Sequence, residues 1–297
     1  MKRVHHITTS IFLLVFCGFN ILLLHPAVSQ TKKKLTVAFY NTHQLYDTID
    51  NPKTDDNAYL PLGPQAWTLE KYHLKLENIA RSIKSIGHKG PDILGLSEVE
   101  NSKVLRDLLQ KRILKKAKYQ AVHFDSPHPK GLDVVLLYKK KVLEVISQRV
   151  FPVYSEDGRL QGSDILLVSG KIKQDEFHFI IWHVENNENT LFLEKAGLKV
   201  LKEVLQNLHQ RTPNAKLLVM GEFDSNPLEE TLGEDNFLTN PFQQTESPSS
   251  GKIIVSQNLV RASEGYSYKK DSATILPAKT DSEGGEQWLP VFIQLIR

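Results

Sequence analysis

Residues Pro91–Asn101 read PDILGLSEVEN. Ile93, Leu94 and Leu96 form a short, nearly continuous apolar run behind a proline, the pattern of a strand covered on both faces, and the run stops on a carboxylate, Glu98. A strand end holds its backbone rigidly while the side chain reaches a solvent-filled cleft, so it suits a group that must be aimed. A second stretch repeats the arrangement. Lys216–Pro227, KLLVMGEFDSNP, is a buried-strand run that breaks at Gly221 into a short loop carrying Glu222 and Asp224, followed by a proline turn.

Outward from Pro91, the chain before it supplies a strand and a helix. Leu35–Asn41 (LTVAFYN) alternates with period two and ends on a polar residue. Thr68 is placed to cap a helix in which Leu69, Tyr72, Leu76, Ile79, Ala80, Ile83 and Ile86 form one apolar stripe, and Gly87 supplies the stop. Between them, Asp47 to Gly63 is rich in Asp, Asn and Pro. A calcium site at Asp47, Asp50, Asp55 and Asp56 fits no EF-hand spacing, and Pro52 suggests a turn, so the acids read as a solvated loop.

After Pro91, Asn101 or Ser102 opens a second helix to about Leu114. Strands are expected at Tyr119–Phe124, Asp133–Tyr138, Val142–Val150, Ile165–Ile172 and Phe177–His183. A helix from about Leu193 to Arg211 leads to the strand Lys216–Met220, and Lys252–Ser256 and Val291–Ile296 complete the set, with Gln243–Gly251 as a surface loop. Strands alternate with helices early and run consecutively in the middle. This order predicts an α/β fold of two packed mixed sheets with helices outside.

The first 29 residues run basic (Lys2, Arg3), apolar (Ile11 to Leu24), then small (Ala27-Val28-Ser29), the order of a secretory signal peptide with a mature start at Gln30. The apolar run is interrupted by Gly18 and Asn20 and falls short of the ~20 residues of a spanning helix, so no transmembrane segment is expected in the mature chain. Export to the periplasm or the exterior follows, with residues 30–297 as a single domain. The only cysteine, Cys17, lies in the leader, which excludes disulfide and thiol chemistry from the mature protein. Taking Lys2 and Arg3 from the 37 basic residues leaves 35 against 34 acidic, a net charge of +1. That balance is not a nucleic-acid binder's footprint, and it carries no signal for an oligomeric state.

Four stretches together, FYNTHQLYDTIDNPKTDD from Phe39, WTLEKYHLKLENIARSI from Trp67, PDILGLSEVEN from Pro91 and FDSPHPKGLDVVLLYKK from Phe124, resemble the endonuclease/exonuclease/phosphatase superfamily, particularly its exported bacterial branch. The resemblance runs from Leu35 to the C-terminus, strong to about Tyr138 and patchy beyond. It implies a four-layer α/β sandwich that cleaves phosphodiesters or phosphomonoesters with a divalent cation. By this resemblance Asn41 and Glu98 are the metal-site pair for Mg²⁺ or Mn²⁺, a hard-oxygen half-site. His183 matches the histidine near the scissile phosphate, and Lys130 and Asp133 are further site candidates.

Several positions depart from the family pattern. Where the family has Gly-Asp-Phe-Asn, this chain has Gly221-Glu222-Phe223-Asp224. The longer Glu222 moves a carboxylate by about one methylene, and a ~1 Å misplacement can cost on the order of a hundredfold in rate. Asp224 replaces an amide donor with an anion that repels phosphate. Near the C-terminus, Glu286-Gln287-Trp288 stands where the family has Ser-Asp-His, and Trp288 cannot move a proton, a loss of about 10²–10⁴. His209 is the last histidine of the chain, so no shift of alignment restores one. Gly251 replaces a family Asp, and Val184-Glu185-Asn186-Asn187-Glu188 follows His183 in place of the family's phosphate-contacting Arg.

Two functions remain open. One is an impaired or inactive phosphoesterase homologue with a binding role for a phosphate-ester or nucleotide-like ligand, holding metal weakly. The other is a working phosphodiesterase, nuclease or phosphatase with a rearranged site, in which Glu222 takes the water and Trp288 stacks on a base or sugar.

Overall fold

A computed structural model describes residues 33–87, 89–158, 161–184, 190–223, 238–242, 251–276 and 289–297. The expected signal peptide, Asp224, the Glu185–Glu188 acids, Gln287 and Trp288 lie outside the described residues. Thirteen strands are described: β1 Lys34–Leu45, β2 Ile93–Val99, β3 Tyr119–His123, β4 Asp133–Lys139, β5 Glu144–Phe151, β6 Ile165–Ile172, β7 Asp175–His183, β8 Lys216–Glu222, β9 Leu238–Thr239, β10 Lys252–Ser256, β11 Ser267–Tyr268, β12 Thr274–Ile275 and β13 Val291–Ile296. The helices are α1 Leu69–Ser85, α2 Ser102–Leu109, α3 Arg112–Lys115, α4 Thr190–Arg211 and α5 Gln257–Val260. Among the described residues no helix is long and apolar enough to cross a membrane.

The strands form two mixed sheets within the unit Lys34–Arg297. One runs β11-β13-β1-β2-β4-β3, with β12 also on β13; the other runs β5-β6-β7-β8-β10-β9. Each sheet has a single parallel pair, β1 with β2 and β7 with β8, and every other pairing is antiparallel. Parallel neighbours need a crossover, and here each crossover contains a helix: α1 joins β1 to β2, and α4 joins β7 to β8.

Period-two alternation sorts the side chains into three apolar layers. Phe39, Ile93, Phe179, Ile181, Leu218 and Met220 meet between the sheets. Ala38, Leu94 and Leu96 turn outward onto Leu76, Ile79 and Ile83 of α1, while Ile180, Trp182, Leu217 and Val219 turn onto Leu201 and Leu205 of α4. The result is the four-layer α/β sandwich expected from the sequence. Gly197, inside α4, has a packing cause: a Cβ there would lie 2.0 Å from Trp182 Cζ2.

Local differences have identifiable reasons. Thr68 does cap α1, accepting from Lys71 N–H, but Leu69 is exposed and the buried stripe begins at Tyr72. The second helix divides at Gln110–Lys111 into α2 and α3. The two-residue strands β9, β11 and β12 are too short for a periodicity signal. The acidic loop is not uniformly solvated: Asp47 and Asp56 are buried beside Glu100. Asp47 N–H donates to Glu100 Oε2 at 2.6 Å and Asn51 N–H to Asp56 Oδ2 at 3.0 Å. Burial first, then the charges of Asp47 and Asp56, push Glu100 up to about 7.

Candidate functional site

The two parallel pairs end side by side, and each strand of each pair contributes one residue. Asn41 lies toward the end of β1 opposite Ser97, the neighbour of Glu98 on β2. His183 ends β7 directly opposite Glu222, which ends β8. Asn41, Glu98 and His183 are buried and Glu222 is half-buried.

The backbone bends to make this possible. The β1–β2 register shifts between Asn41 and Leu45. His43 (φ 54°), Gln44 (φ 59°) and Glu98 (φ 59°) all adopt left-handed conformations, which for residues with a Cβ costs ~1–3 kcal/mol each. The Thr42 hydroxyl, 2.8 Å from the Ser97 carbonyl and 2.9 Å from that of Glu98, stitches the two strands at the bend.

His43 N–H donates to Asn41 Oδ1 at 2.7 Å, which turns the amide nitrogen toward the acids. Asn41 Nδ2 then donates to Glu98 Oε1 at 2.8 Å and to Glu222 Oε2 at 2.7 Å. The His183 ring sits between the same carboxylates, Nε2 3.1 Å from Glu98 Oε1 and Nδ1 3.3 Å from Glu222 Oε2. These are ion-pair distances without hydrogen-bond alignment, so both buried ring nitrogens lack a hydrogen-bond partner among the described residues.

Charge sets the protonation. Burial alone would lower His183, but Glu222 and Glu98 outweigh it and lift it to about 10. Burial alone would raise Glu98, but His183, Asn41 and His43 hold it at about 2. An imidazolium therefore lies between two carboxylates at neutral pH.

Glu98, His183 and Glu222 offer ligand atoms within 4.8 Å of one another, close enough to share one ion. Two carboxylate oxygens suit Mg²⁺ or Mn²⁺, and an imidazole suits Mn²⁺ better than Mg²⁺.

Lys130 and Asp133 are not brought into this cluster by any described contact. Asp133 starts β4, and its carboxylate accepts from Ser126 N–H at 3.0 Å and Ser126 Oγ at 2.5 Å and lies 2.9 Å from His123 Nε2. That network braces the loop before β4. Burial raises the Asp133 pKa against the opposing pull of His123 and Ser126. The Lys130 carbonyl accepts from Tyr46 OH at 2.9 Å.

Sequence reasoning missed Lys75 of α1, whose ammonium donates to the carbonyls of His43 and Gln44. The only signal was a lysine beside Leu76 in an otherwise apolar stripe. It also missed the reason for Gly251: a Cβ there would lie 2.1 Å from Phe39 Cδ1, so the Phe39 ring occupies the space of any side chain at 251.

Solved structures share the architecture. A mannosyl-6-phosphatase from Bacteroides thetaiotaomicron is 17% identical, with 89% of this chain and 100% of that one covered and a TM-score of 0.59. The human Nocturnin catalytic domain, solved with bound sulfate, is 18% identical over 90% of this chain and 98% of that one, with a TM-score of 0.59. D. rerio TDP2, in complex with a single-strand DNA product, is 12% identical over 89% and 99%, with a TM-score of 0.58. At such identities the likeness establishes the fold. No curated protein sequence matches the chain. Residues 36–245 match the model of the Endonuclease/Exonuclease/phosphatase family, and the chain belongs to that family.

Proposed function

We propose that residues 30–297 form a single exported domain of this family whose hydrolysis is impaired and which binds a divalent cation weakly together with a phosphate-ester or nucleotide-like ligand. The carrying observation is the closure of the cluster on itself: Asn41 donates to both Glu98 and Glu222, and the His183 ring lies between the same two carboxylates. Glu98 and Glu222 would hold Mg²⁺ or Mn²⁺, with His183 a third ligand only after it gives up its proton, which weakens binding at neutral pH; the ion when bound polarises a phosphoryl oxygen. Asn41 orients the two carboxylates. The sequence offers no histidine beyond His209 to move a proton at the far side, and Asp224 and Trp288 replace polar partners. The ligand class is supported by relatives described as a phosphatase, a sulfate-bound domain and a complex with a DNA product.

A working enzyme with a rearranged site is the second reading. It is favoured by one observation: the longer Glu222 still reaches Asn41 across 181 residues of sequence. Hydrolysis of a phosphodiester and of a phosphomonoester by residues 30–297 with Mg²⁺ and Mn²⁺, beside Glu98→Ala, decides between them. Impairment predicts rates at least ~10²-fold below an active relative. Full activity that Glu98→Ala abolishes selects the working enzyme. Export rests on the leader, and mass spectrometry of protein from its native host should find a start near Gln30; an intact Met1 in the cytoplasm rejects it.

A further inference from the structure

We propose that Lys75 is a positioning residue that holds the bend of β1 and thereby aims the Asn41 amide at Glu98 and Glu222. The proposal rests on the reading of that cluster as a cation site for its final link only.

The chain of contacts is direct. Lys75 Nζ donates to the His43 carbonyl and, at 3.1 Å, to the Gln44 carbonyl. These belong to two consecutive left-handed residues, at the point where β1 leaves its register with β2. The Gln44 carbonyl also accepts from Tyr46 N–H at 3.0 Å. The peptide unit that follows Thr42 carries the His43 N–H, which donates to Asn41 Oδ1. Fixing this bend fixes the amide.

Lys75 is itself held. Its ammonium lies 5.4 Å from the centre of the Trp67 ring, a cation–π contact. Trp67 Nε1 donates to the Tyr46 carbonyl at 3.1 Å, and Tyr59 stacks on Tyr46 with ring centres 4.4 Å apart. Tyr59 OH donates to Gln44 Oε1, so the left-handed pair is gripped from its side chain as well. A lysine provides three donors on one atom, enough for two carbonyls, and a positive charge beside the carbonyl oxygens makes those bonds stronger than neutral ones. A neutral residue of the same length would fill the space without the grip.

The test is hydrogen–deuterium exchange at residue resolution together with Mn²⁺ calorimetry on residues 30–297, comparing wild type, Lys75→Met, Lys75→Arg and Glu98→Gln. Lys75→Met should speed exchange of the His43 amide at least tenfold while Leu94 and Leu96 in β2 keep their protection, and should weaken Mn²⁺ binding about tenfold. Lys75→Arg, which retains charge and donors, should recover most of both. Unchanged His43 exchange in Lys75→Met overturns the proposal; so does accelerated exchange with Mn²⁺ binding intact when Glu98→Gln abolishes that binding. If Lys75→Met does not fold, Lys75→Gln carries the same comparison with a shorter neutral donor. Mn²⁺ binding that Glu98→Gln leaves unaltered sinks the cation-site reading alone, and the His43 exchange still decides the role of Lys75.

Discussion

His183 is a positive charge enclosed by two negative ones, and its effect on stability has a definite sign. Its pKa of about 10 in the fold lies above the ordinary value of 6.5, so its contribution is complete below ~6.5 and is lost as pH rises through ~10. Glu98, held at about 2 against an ordinary 4.5, contributes fully above ~4.5 and loses its contribution as pH falls through ~2. The cluster is therefore most stabilising between ~4.5 and ~6.5. Urea unfolding should show a decline from pH 6.5 to 10 that His183→Gln flattens. The variant should lie ~3–5 kcal/mol below wild type at pH 6, the usual cost of breaking a buried ion pair. An alkaline decline of the same size in both proteins contradicts this.

Asn41, Glu98, His183 and Glu222 could be picked out of the sequence because each closes an apolar run, and the resemblance gave them roles. Lys75 could not. Its partners are main-chain carbonyls, which carry no residue identity, and they are exposed to it only because His43 and Gln44 turn left-handed without a glycine to announce the turn.

Among the elements, the apolar strands were the most legible: Ile165–Ile172, Lys252–Ser256 and Val291–Ile296 have the bounds read from their sequence. The break between α2 and α3 was not, since LLQKRIL contains neither Gly nor Pro. Gly251 shows how one element constrains another. It precedes β10, and its missing side chain makes room for Phe39 of β1, two residues before Asn41. Gly251→Ala should cost ~1–3 kcal/mol through overpacking, measured by chemical unfolding. Less than about 0.5 kcal/mol would mean that Phe39 can move aside. The same crowding sets a condition on rebuilding the family's acid at this position: Gly251→Asp needs a smaller residue at Phe39.

For the whole molecule, the near-even charge count conceals an uneven surface. Arg106, Lys115, Lys116, Lys118, Lys140 and Lys141 line one groove with no acid among its lining residues, at the end of β2 opposite Glu98. A total cannot show such a grouping, because it depends on where α3, β3 and the β4–β5 turn meet. The layer order was readable because helices alternate with strands around each parallel pair and, among the described residues, none falls between β3 and β7.

The site is split between the sheets: Asn41 and Glu98 belong to one, His183 and Glu222 to the other. A ligand held by all four is thus a fastener between two halves of the core. Separating the sheets destroys the binding site, so ligand affinity and sheet docking are thermodynamically linked. A ligand at a hundred times its dissociation constant would add about 2.7 kcal/mol to the fold. Conversely, a substitution deep in the inter-sheet layer, far from any ligand atom, weakens binding wherever it lets the two halves drift apart.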